Sequence, residues 1–410
     1  MHYRRSSGKT GRQHHSLLKN AGLAFASLRC IKNMIYLDNG STSFPKAEGM
    51  SEFVKKFLDE RCFNINRGAY SSSTDTSELV YDTREKAAEF FGGEKGKKVI
   101  FTSGVTFSLN LVLNGLLGNG DKAVTTYMEH NAVLRPLSKL TKQGTEVNFV
   151  NCDGNGEIDL NDLEEKLRQN PKVCVVTHAS NVCGTIMPIK EIGKLCRRHG
   201  VIFVVDAAQT AGVVDIDMSR DNIDVLCFTG HKGLLGMQGI GGVIFGGDTA
   251  EICSPFCYGG TGSFSHTTEM PKILPDKFEA GTLNLPGIAS LNYCFDFLRQ
   301  KGIQNIFAHE KKLQALFEEE VKNLNNVEII GGKAKNRCAV TSLDFKNVDN
   351  GEASFLLDTE YSIMTRSGLH CAPYAHQALG TFPRGTVRFA FGYKTTEDEV
   401  KKAIQAVAKI

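Results

Sequence analysis

The middle of the chain alternates two hydrophobic patterns. Short continuous apolar runs, rich in β-branched residues, lack internal polar alternation: "KKVIFT", "AVTT", "KVCVVT", "VIFVV" and "VLCF". Such runs suit strands buried on both faces. Between them lie segments with helical spacing, "TFSLNLVLNGL" and "KEIGKLCRRHG". Strand, helix, strand in that order predicts a mostly parallel sheet in a large α/β domain, at about residues 50–290.

After about residue 290 the pattern changes. "LNYCFDFLRQKG" and "HEKKLQALFEEEVKNL" read as helices, the second with Leu313, Leu316, Phe317 and Val321 on one face. Strands follow near "VEIIGG", "AVTSLDF" and "TVRFAF". A last helix opens on a capping box, Thr396 with Glu399, and carries the stripe Val400, Ala403, Ile404 and Val407. The expected division is a non-core extension at 1–33 and a segment at 34–49 that packs with the small domain. The large domain takes 50–290 and a small α+β domain takes 291–410. There is no internal repeat or low-complexity segment.

Composition narrows the class. A hydrophobic share of 41% and a charged share of 23% describe an ordinary globular protein. A net charge of +3 is too small to argue for nucleic acid. It is also unevenly spread: Arg4, Arg5, Lys9, Arg12, Lys19, Arg29 and Lys32 precede Met34 with no acid among them, so the remainder is acidic. That segment would suit a mitochondrial transit peptide. The preferred reading is an upstream extension or a misplaced start codon, because Met34 opens "MIYLDNGSTSFP" like a natural start. No apolar run approaches the ~20 residues of a membrane span, and a cytoplasmic protein is expected. The 12 cysteines contain no C-x-x-C pair and sit mostly in apolar stretches. They read as reduced, buried thiols rather than disulfides or metal ligands.

In open α/β sheets ligands bind beyond the carboxyl ends of the strands. Ser103, Gly104, Val105 and Thr106 follow the first run and open a helix. Free N–H groups and a hydroxyl there would hold a phosphate, though a plain serine or threonine N-cap would look the same. His130 follows "AVTT", Asn181 follows "VCVVTHAS", and Asp206 and Gln209 follow "VIFVV". An aspartate ending a buried strand needs a cation, or serves as another N-cap. Lys232 follows "VLCFTGH", where a strongly hydrated ammonium is out of place in a glycine-lined turn.

The glycines after Lys232 precede another apolar run, not a helix, so they form no dinucleotide fingerprint. "GHKG" lacks the Walker spacing. Pyridoxal phosphate uses all of these groups at once: a lysine for an imine, an acid for the pyridine nitrogen, an anion site and a flat group against the ring. Lys232, Asp206, the Ser103–Thr106 loop and His130 supply them in turn.

With these residues in place the sequence resembles a cysteine desulfurase of the class V aminotransferase-like, fold-type I pyridoxal-phosphate family. The likeness runs from Met34 to Ile410. Its motifs, in order, are "NINRGAY" (64–70), "TSGVTFSLN" (102–110), "EHNA" (129–132), "HASNVCGTIMPI" (178–189), "VDAAQ" (205–209), "TGHKGLLG" (229–236), "FEAGTLN" (278–284) and "RSGLHCAP" (366–373). The resemblance implies a mostly parallel seven-stranded sheet plus a small α+β domain. It implies that Lys232 holds the cofactor and moves the Cα proton, that Asp206 pairs with the pyridinium, that Gln209 meets the ring hydroxyl and that His130 stacks on the ring. Val105 through its N–H, Thr106, Thr229 and His231 would bind phosphate. Thr282 would reach the phosphate of the other subunit in a homodimer. Asn181 and Arg388 would hold the substrate carboxylate, with Arg366 nearby.

Cys371 would be the nucleophile, between His370 and Ala372. The expected reaction takes L-cysteine to L-alanine. It leaves a persulfide on Cys371 for a sulfur-acceptor protein in sulfur and iron–sulfur metabolism. The alternatives are a selenocysteine lyase acting on L-selenocysteine, a cysteine-sulfinate desulfinase, or a class V aminotransferase that does not use Cys371. The short "RSGLHCAP" form resembles the sulfur-mobilising, selenocysteine lyase-like group. Three features depart from the family: Val105 stands where threonine is common, Leu369 where histidine is frequent, and "GGTGSFSH" (259–266) differs from the usual loop.

Overall fold

The computed structural model describes residues 34–65 and 71–410. The extension at 1–33 and most of the "NINRGAY" motif lie outside the described residues. The strands in chain order are β1 (Ile35–Tyr36), β2 (Val99–Thr102), β3 (Lys122–Thr126), β4 (Glu146–Val150), β5 (Val173–Thr177), β6 (Ile202–Asp206), β7 (Val225–Thr229) and β8 (Gly241–Phe245). They continue with β9 (Val327–Ile330), β10 (Val340–Phe345), β11 (Ile363–Met364), β12 (Arg366–Gly368) and β13 (Thr386–Ala390).

A seven-stranded sheet has the order β2-β8-β7-β6-β5-β3-β4. β8 runs antiparallel to both neighbours, and the other pairings are parallel. The sheet is buried on both faces, as the continuous apolar runs predict. Along β7, Val225 and Cys227 enter one core while Leu226 and Phe228 enter the other. β5 divides likewise, Val173 and Val175 against Cys174 and Val176. Period-two alternation thus sorts apolar side chains between two helical layers instead of between core and water.

The last residues of β2, β3, β5, β6 and β7 are Thr102, Thr126, Thr177, Asp206 and Thr229. Their ends share one edge of the sheet, where polar side chains gather. Glycine is required where β8 starts there: a Cβ on Gly241 would lie 2.5 Å from the Phe228 carbonyl oxygen and 2.7 Å from Gly104 Cα.

A second, antiparallel sheet has the order β12-β13-β10-β9, and β1 pairs in parallel with β11. Ile35 and Leu37 share a core with Phe317, Leu343, Phe389 and Val400. The expected capping box is present: Thr396 Oγ1 accepts from Glu399 N, and the Glu399 side chain accepts from Thr396 N. Two helices, Leu285–Lys301 and Ile303–Val321, join the sheets, and Gly302 at φ 76° turns between them.

Candidate active site

The edge of the large sheet begins with a helix start left open. The helix Val105–Leu116 follows Gly104, whose φ of 144° favours glycine, and no side chain caps it. The serine or threonine cap is therefore absent, and the Val105 and Thr106 N–H groups point outward as the first two helical donors. A Cβ on Gly104 would lie 3.5 Å from Thr229 Oγ1, so this glycine leaves the buried Thr229 hydroxyl beside the helix start. Asp206 is 2% exposed at the end of β6. Its Oδ1 accepts from Ala208 N at 2.9 Å, the capping-type bond that the sequence left open. Burial raises its pKa, opposed by that bond and by Lys232.

Lys232 stands in the turn after β7. Burial, and then Arg388, bring its ammonium from 10.5 down to about 8. The preceding carbonyl, of His231, is gripped from the N-terminal segment. It accepts from Ser43 N at 2.9 Å, Thr42 Oγ1 at 3.0 Å, Ser43 Oγ at 3.1 Å and Lys46 Nζ at 2.9 Å. Residues 42–46 thus fix the peptide that carries Lys232. His231 Nδ1 is buried without a partner among the described residues. His130 caps the helix Asn131–Thr141, its Nδ1 accepting from Ala132 N at 3.0 Å. Burial, with Lys232, Arg366 and Arg388, lowers its pKa to about 4, so the ring is neutral at pH 7 and its Nε2 carries the proton. Gln209 donates its amide to the Gly40 carbonyl at 3.1 Å.

The small sheet brings a cationic pair to the same cleft. Arg366 on β12 faces Arg388 on β13 directly across the ladder. Like charges there repel. Arg388, 1% exposed, is held by Asp38 and Ser41 at 2.8 Å each and by the Asn181 carbonyl at 3.0 Å. Its Nε has no partner among the described residues. Arg366 Nη1 reaches the same Ser41 hydroxyl at 3.1 Å. Two guanidiniums with one carboxylate between them leave a net cation that could hold an added carboxylate.

Arg366 Nη2 lies 3.6 Å from Cys371 Sγ, which is exposed at the mouth of the cleft. Leu369 O accepts from Ala372 N at 2.8 Å, and the residues between, His370 (φ 49°) and Cys371 (φ 57°), are both left-handed. Two positive φ values in a tight turn are the type I′ pattern, normally filled by Gly, Asn or Asp. Such residues cost about 1–3 kcal/mol each and persist where surroundings over-determine them. Here Asn181 Nδ2 donates to the His370 carbonyl and Asn131 N to the Cys371 carbonyl, both at 2.7 Å.

Thr282 is exposed and lines a cavity with Thr102 and Ser103, on a segment anchored by a buried ion pair. Arg84 donates to both Glu279 oxygens, at 2.8 and 2.6 Å, and Phe101 N to Oε1 at 2.7 Å. Several positions around the site had no sequence signal. Asp38 and Ser41 lie in "LDNGST", a stretch that reads as an ordinary turn. Glu129 was visible in "EHNA", yet nothing marked it as fully buried. It accepts from Thr126 Oγ1 at 2.7 Å and from Thr177 N at 3.0 Å, and burial pushes its pKa up to about 8.

These residues fit pyridoxal phosphate. Among the described residues the buried Asp206 has no salt bridge, and a buried carboxylate without an ion partner is costly. The partnerless His231 Nδ1, the Thr229 hydroxyl and the open helix start offer donors to an anion.

The profile of the aminotransferase class-V family matches residues 35–403. A probable cysteine desulfurase of Methanothermobacter thermautotrophicus is 31% identical over 379 residues, covering 90% of this chain and 93% of the relative. A cysteine desulfurase of Haloferax volcanii is 31% identical, covering 91% and 88%. Among solved structures, the apo cysteine desulfurase of Thermococcus onnurineus superposes with a TM-score of 0.86 at 32% identity, covering 92% of this chain and 94% of that one. The Escherichia coli cysteine desulfurase CsdA, as an S-sulfonic acid, gives 0.82 at 25% identity, covering 95% and 97%.

Proposed function

We propose that this chain, which belongs to the aminotransferase class-V family, is a cysteine desulfurase that converts L-cysteine to L-alanine and keeps the sulfur as a persulfide on Cys371. The observation that carries the reading is the position of Arg366. It touches the Cys371 sulfur at 3.6 Å and also acts electrostatically on Lys232 and His130. This supports reading Cys371 as the nucleophilic thiol that works beside the candidate imine lysine. The relatives' shared name and nearly full coverage support the same activity.

Pyridoxal phosphate, when bound, supplies the electron sink that makes the substrate Cα proton removable. Asp206 would meet its ring nitrogen and His130 its face, with Gln209 turned from Gly40 toward the ring hydroxyl. Thr106, Thr229, His231, the Val105 N–H and Thr282 of the partner subunit would hold the phosphate. Arg388, Asn181 and Arg366 orient the substrate carboxylate. With its pKa near 8, Lys232 presents enough neutral amine near neutral pH to take the Cα proton. Cys371 attacks the substrate sulfur: the Cβ–S bond breaks, an S–S bond forms, and the electron pair left on carbon takes a proton. One L-cysteine and one thiol become one L-alanine and one persulfide, which a thiol of an acceptor protein removes.

A homodimer in the cytoplasm suits this reading. Phe256, Tyr258, Phe264 and Ile273 stand exposed on the segment leading to Thr282, as a subunit contact would require. The described cysteines are all free thiols, which suits a reducing compartment. No described helix is long and apolar enough to cross a membrane. The test is to load the purified chain with pyridoxal phosphate and supply L-cysteine, L-selenocysteine and L-cysteine sulfinate separately. Alanine with sulfide, and a persulfide mapped to Cys371, is the expected result. Alanine with selenide or sulfite alone would reassign the substrate, and no alanine would sink the reading.

A further inference from the structure

The turn that carries Cys371 is supported from below by side chains the reaction does not touch. His370 is 2% exposed and His376 fully buried, on the helix Pro373–Ala378, with their rings within 20° of parallel. His370 Nε2 lies 3.0 Å from the Arg366 carbonyl, His370 Nδ1 lies 3.3 Å from His376 Nε2, and His376 Nδ1 lies 2.6 Å from Thr381 Oγ1. The carbonyl end sets every direction. A carbonyl only accepts, so His370 Nε2 carries the proton and its Nδ1 accepts. His376 Nε2 must then donate, so its Nδ1 accepts, and the Thr381 hydroxyl donates into it. Both imidazoles must be neutral for this, and burial brings their pKa values down to about 3 and about 4. The chain ends on a carbonyl, so it cannot pass a proton onward. Its effect is geometric.

We propose that Thr381 and His376 are positioning residues for Cys371: through His370 they hold the left-handed turn that keeps the sulfur beside Arg366. This rests on the reading that Cys371 is the nucleophile. The surrounding bonds show what would be lost. Asn181 and Asn131 hold the carbonyls of His370 and Cys371 and do not touch the His370 side chain. That side chain is anchored at Nε2 by the Arg366 carbonyl and at Nδ1 by His376, which Thr381 orients. With it, the strained backbone and Arg366 are tied to each other, because the Arg366 carbonyl is the acceptor at the far end.

The test compares Thr381→Val with Thr381→Ser in the full-length holoenzyme. Valine keeps the shape and removes the hydroxyl; serine keeps the hydroxyl. The first readout is iodoacetamide alkylation of Cys371, by peptide mass spectrometry, against the exposed Cys257 as an internal standard. Valine is expected to slow Cys371 about tenfold relative to Cys257, about what one lost buried hydrogen bond is worth, with serine within about twofold of the parent. The second readout is alanine formation from L-cysteine, where kcat should fall with KM held. Should Thr381→Val fail to fold, His376→Phe cuts the same chain and should give the same loss. A Cys371 that reacts at the parental rate or faster in the cut variant, or equal losses in valine and serine, overturns the proposal. Slower alkylation with unchanged alanine formation would leave the positioning right and overturn the nucleophile assignment instead.

Discussion

The backbone N–H of Asn131 donates to the carbonyl of Cys371 across 2.7 Å. Asn131 follows His130, the residue proposed to lie on the cofactor, and Cys371 is the proposed nucleophile. A single hydrogen bond therefore couples the helix that presents the stacking ring to the turn that presents the sulfur. The two halves of the cleft are set against each other by main chain, which a side-chain substitution does not remove.

Replacing Cys371 by serine should separate the two chemistries. Sulfur transfer should fall by at least about 100-fold, because an alcohol is a far weaker nucleophile toward sulfur than a thiolate. Loading with pyridoxal phosphate should still give an absorbance band near ~420 nm, since Lys232, Asp206 and the helix start are untouched. Alanine and sulfide assays beside a visible spectrum check both halves.

The two arginines should fail differently. Arg388 is 1% exposed and bonded to Asp38, Ser41 and Asn181. Arg388→Gln strips the Asp38 carboxylate of its cation and should cost about 3–5 kcal/mol of stability, as broken buried pairs do. Arg366 is partly exposed and has no carboxylate partner among the described residues. Arg366→Gln should leave the melting temperature within about 2 °C while raising KM for L-cysteine. Thermal melts and initial rates distinguish the two.

Stability of the apoprotein should peak near pH 6.5. His130, His178, His231 and His376 are brought down to about 4, and His370 to about 3, chiefly by burial. Between those values and 6.5 the unfolded chain binds more protons, so stability is lost as pH falls. Glu129 and Glu310 are pushed up to about 8 by burial. The folded chain holds their protons above the usual carboxylate range, so stability is lost as pH rises from 4.5 through 8. Five histidines outweigh two glutamates on the acid side, and between 6.5 and 8 the glutamates dominate, since Lys46 and Lys232, brought down to about 8, add stability chiefly above that pH. Glu310→Gln should accordingly raise the melting temperature at pH 9 and leave it nearly unchanged at pH 5.

Gly104→Ala should weaken cofactor binding without unfolding the sheet. The site needs φ 144°, which an L side chain rarely adopts, and a Cβ there would face Thr229 Oγ1 at 3.5 Å. A strain of about 1–3 kcal/mol at an anion site should raise the dissociation constant for pyridoxal phosphate about tenfold or more. Spectroscopic titration of the apoprotein measures it.

Much of the site is legible in the sequence. Lys232, Asp206, His130 and the Ser103–Thr106 loop each follow a continuous apolar run, and a parallel sheet brings such ends to one edge. The Arg366–Arg388 pair was harder to see. Both residues were named, but their direct opposition depends on the β12–β13 register. Asp38 and Ser41 carried no signal, because a turn with Asp, Asn and Ser looks the same whether or not it meets an arginine. His376 and Thr381 sit in a short helix and the loop after it, where a histidine has no periodicity to betray a partner.

The amino-acid order by itself determined the strands, the helices between them and the kinds of chemistry available, because hydrophobic period and strand-end polarity are local properties. Tertiary structure decided which groups meet and in what charge state. Asp38 neutralises one of two facing arginines, the N-terminal segment grips the carbonyl before Lys232, and a buried His–His–Thr chain lies under Cys371. Those outcomes depend on register between distant strands and on how much water burial removes, and neither is written in any short stretch of residues.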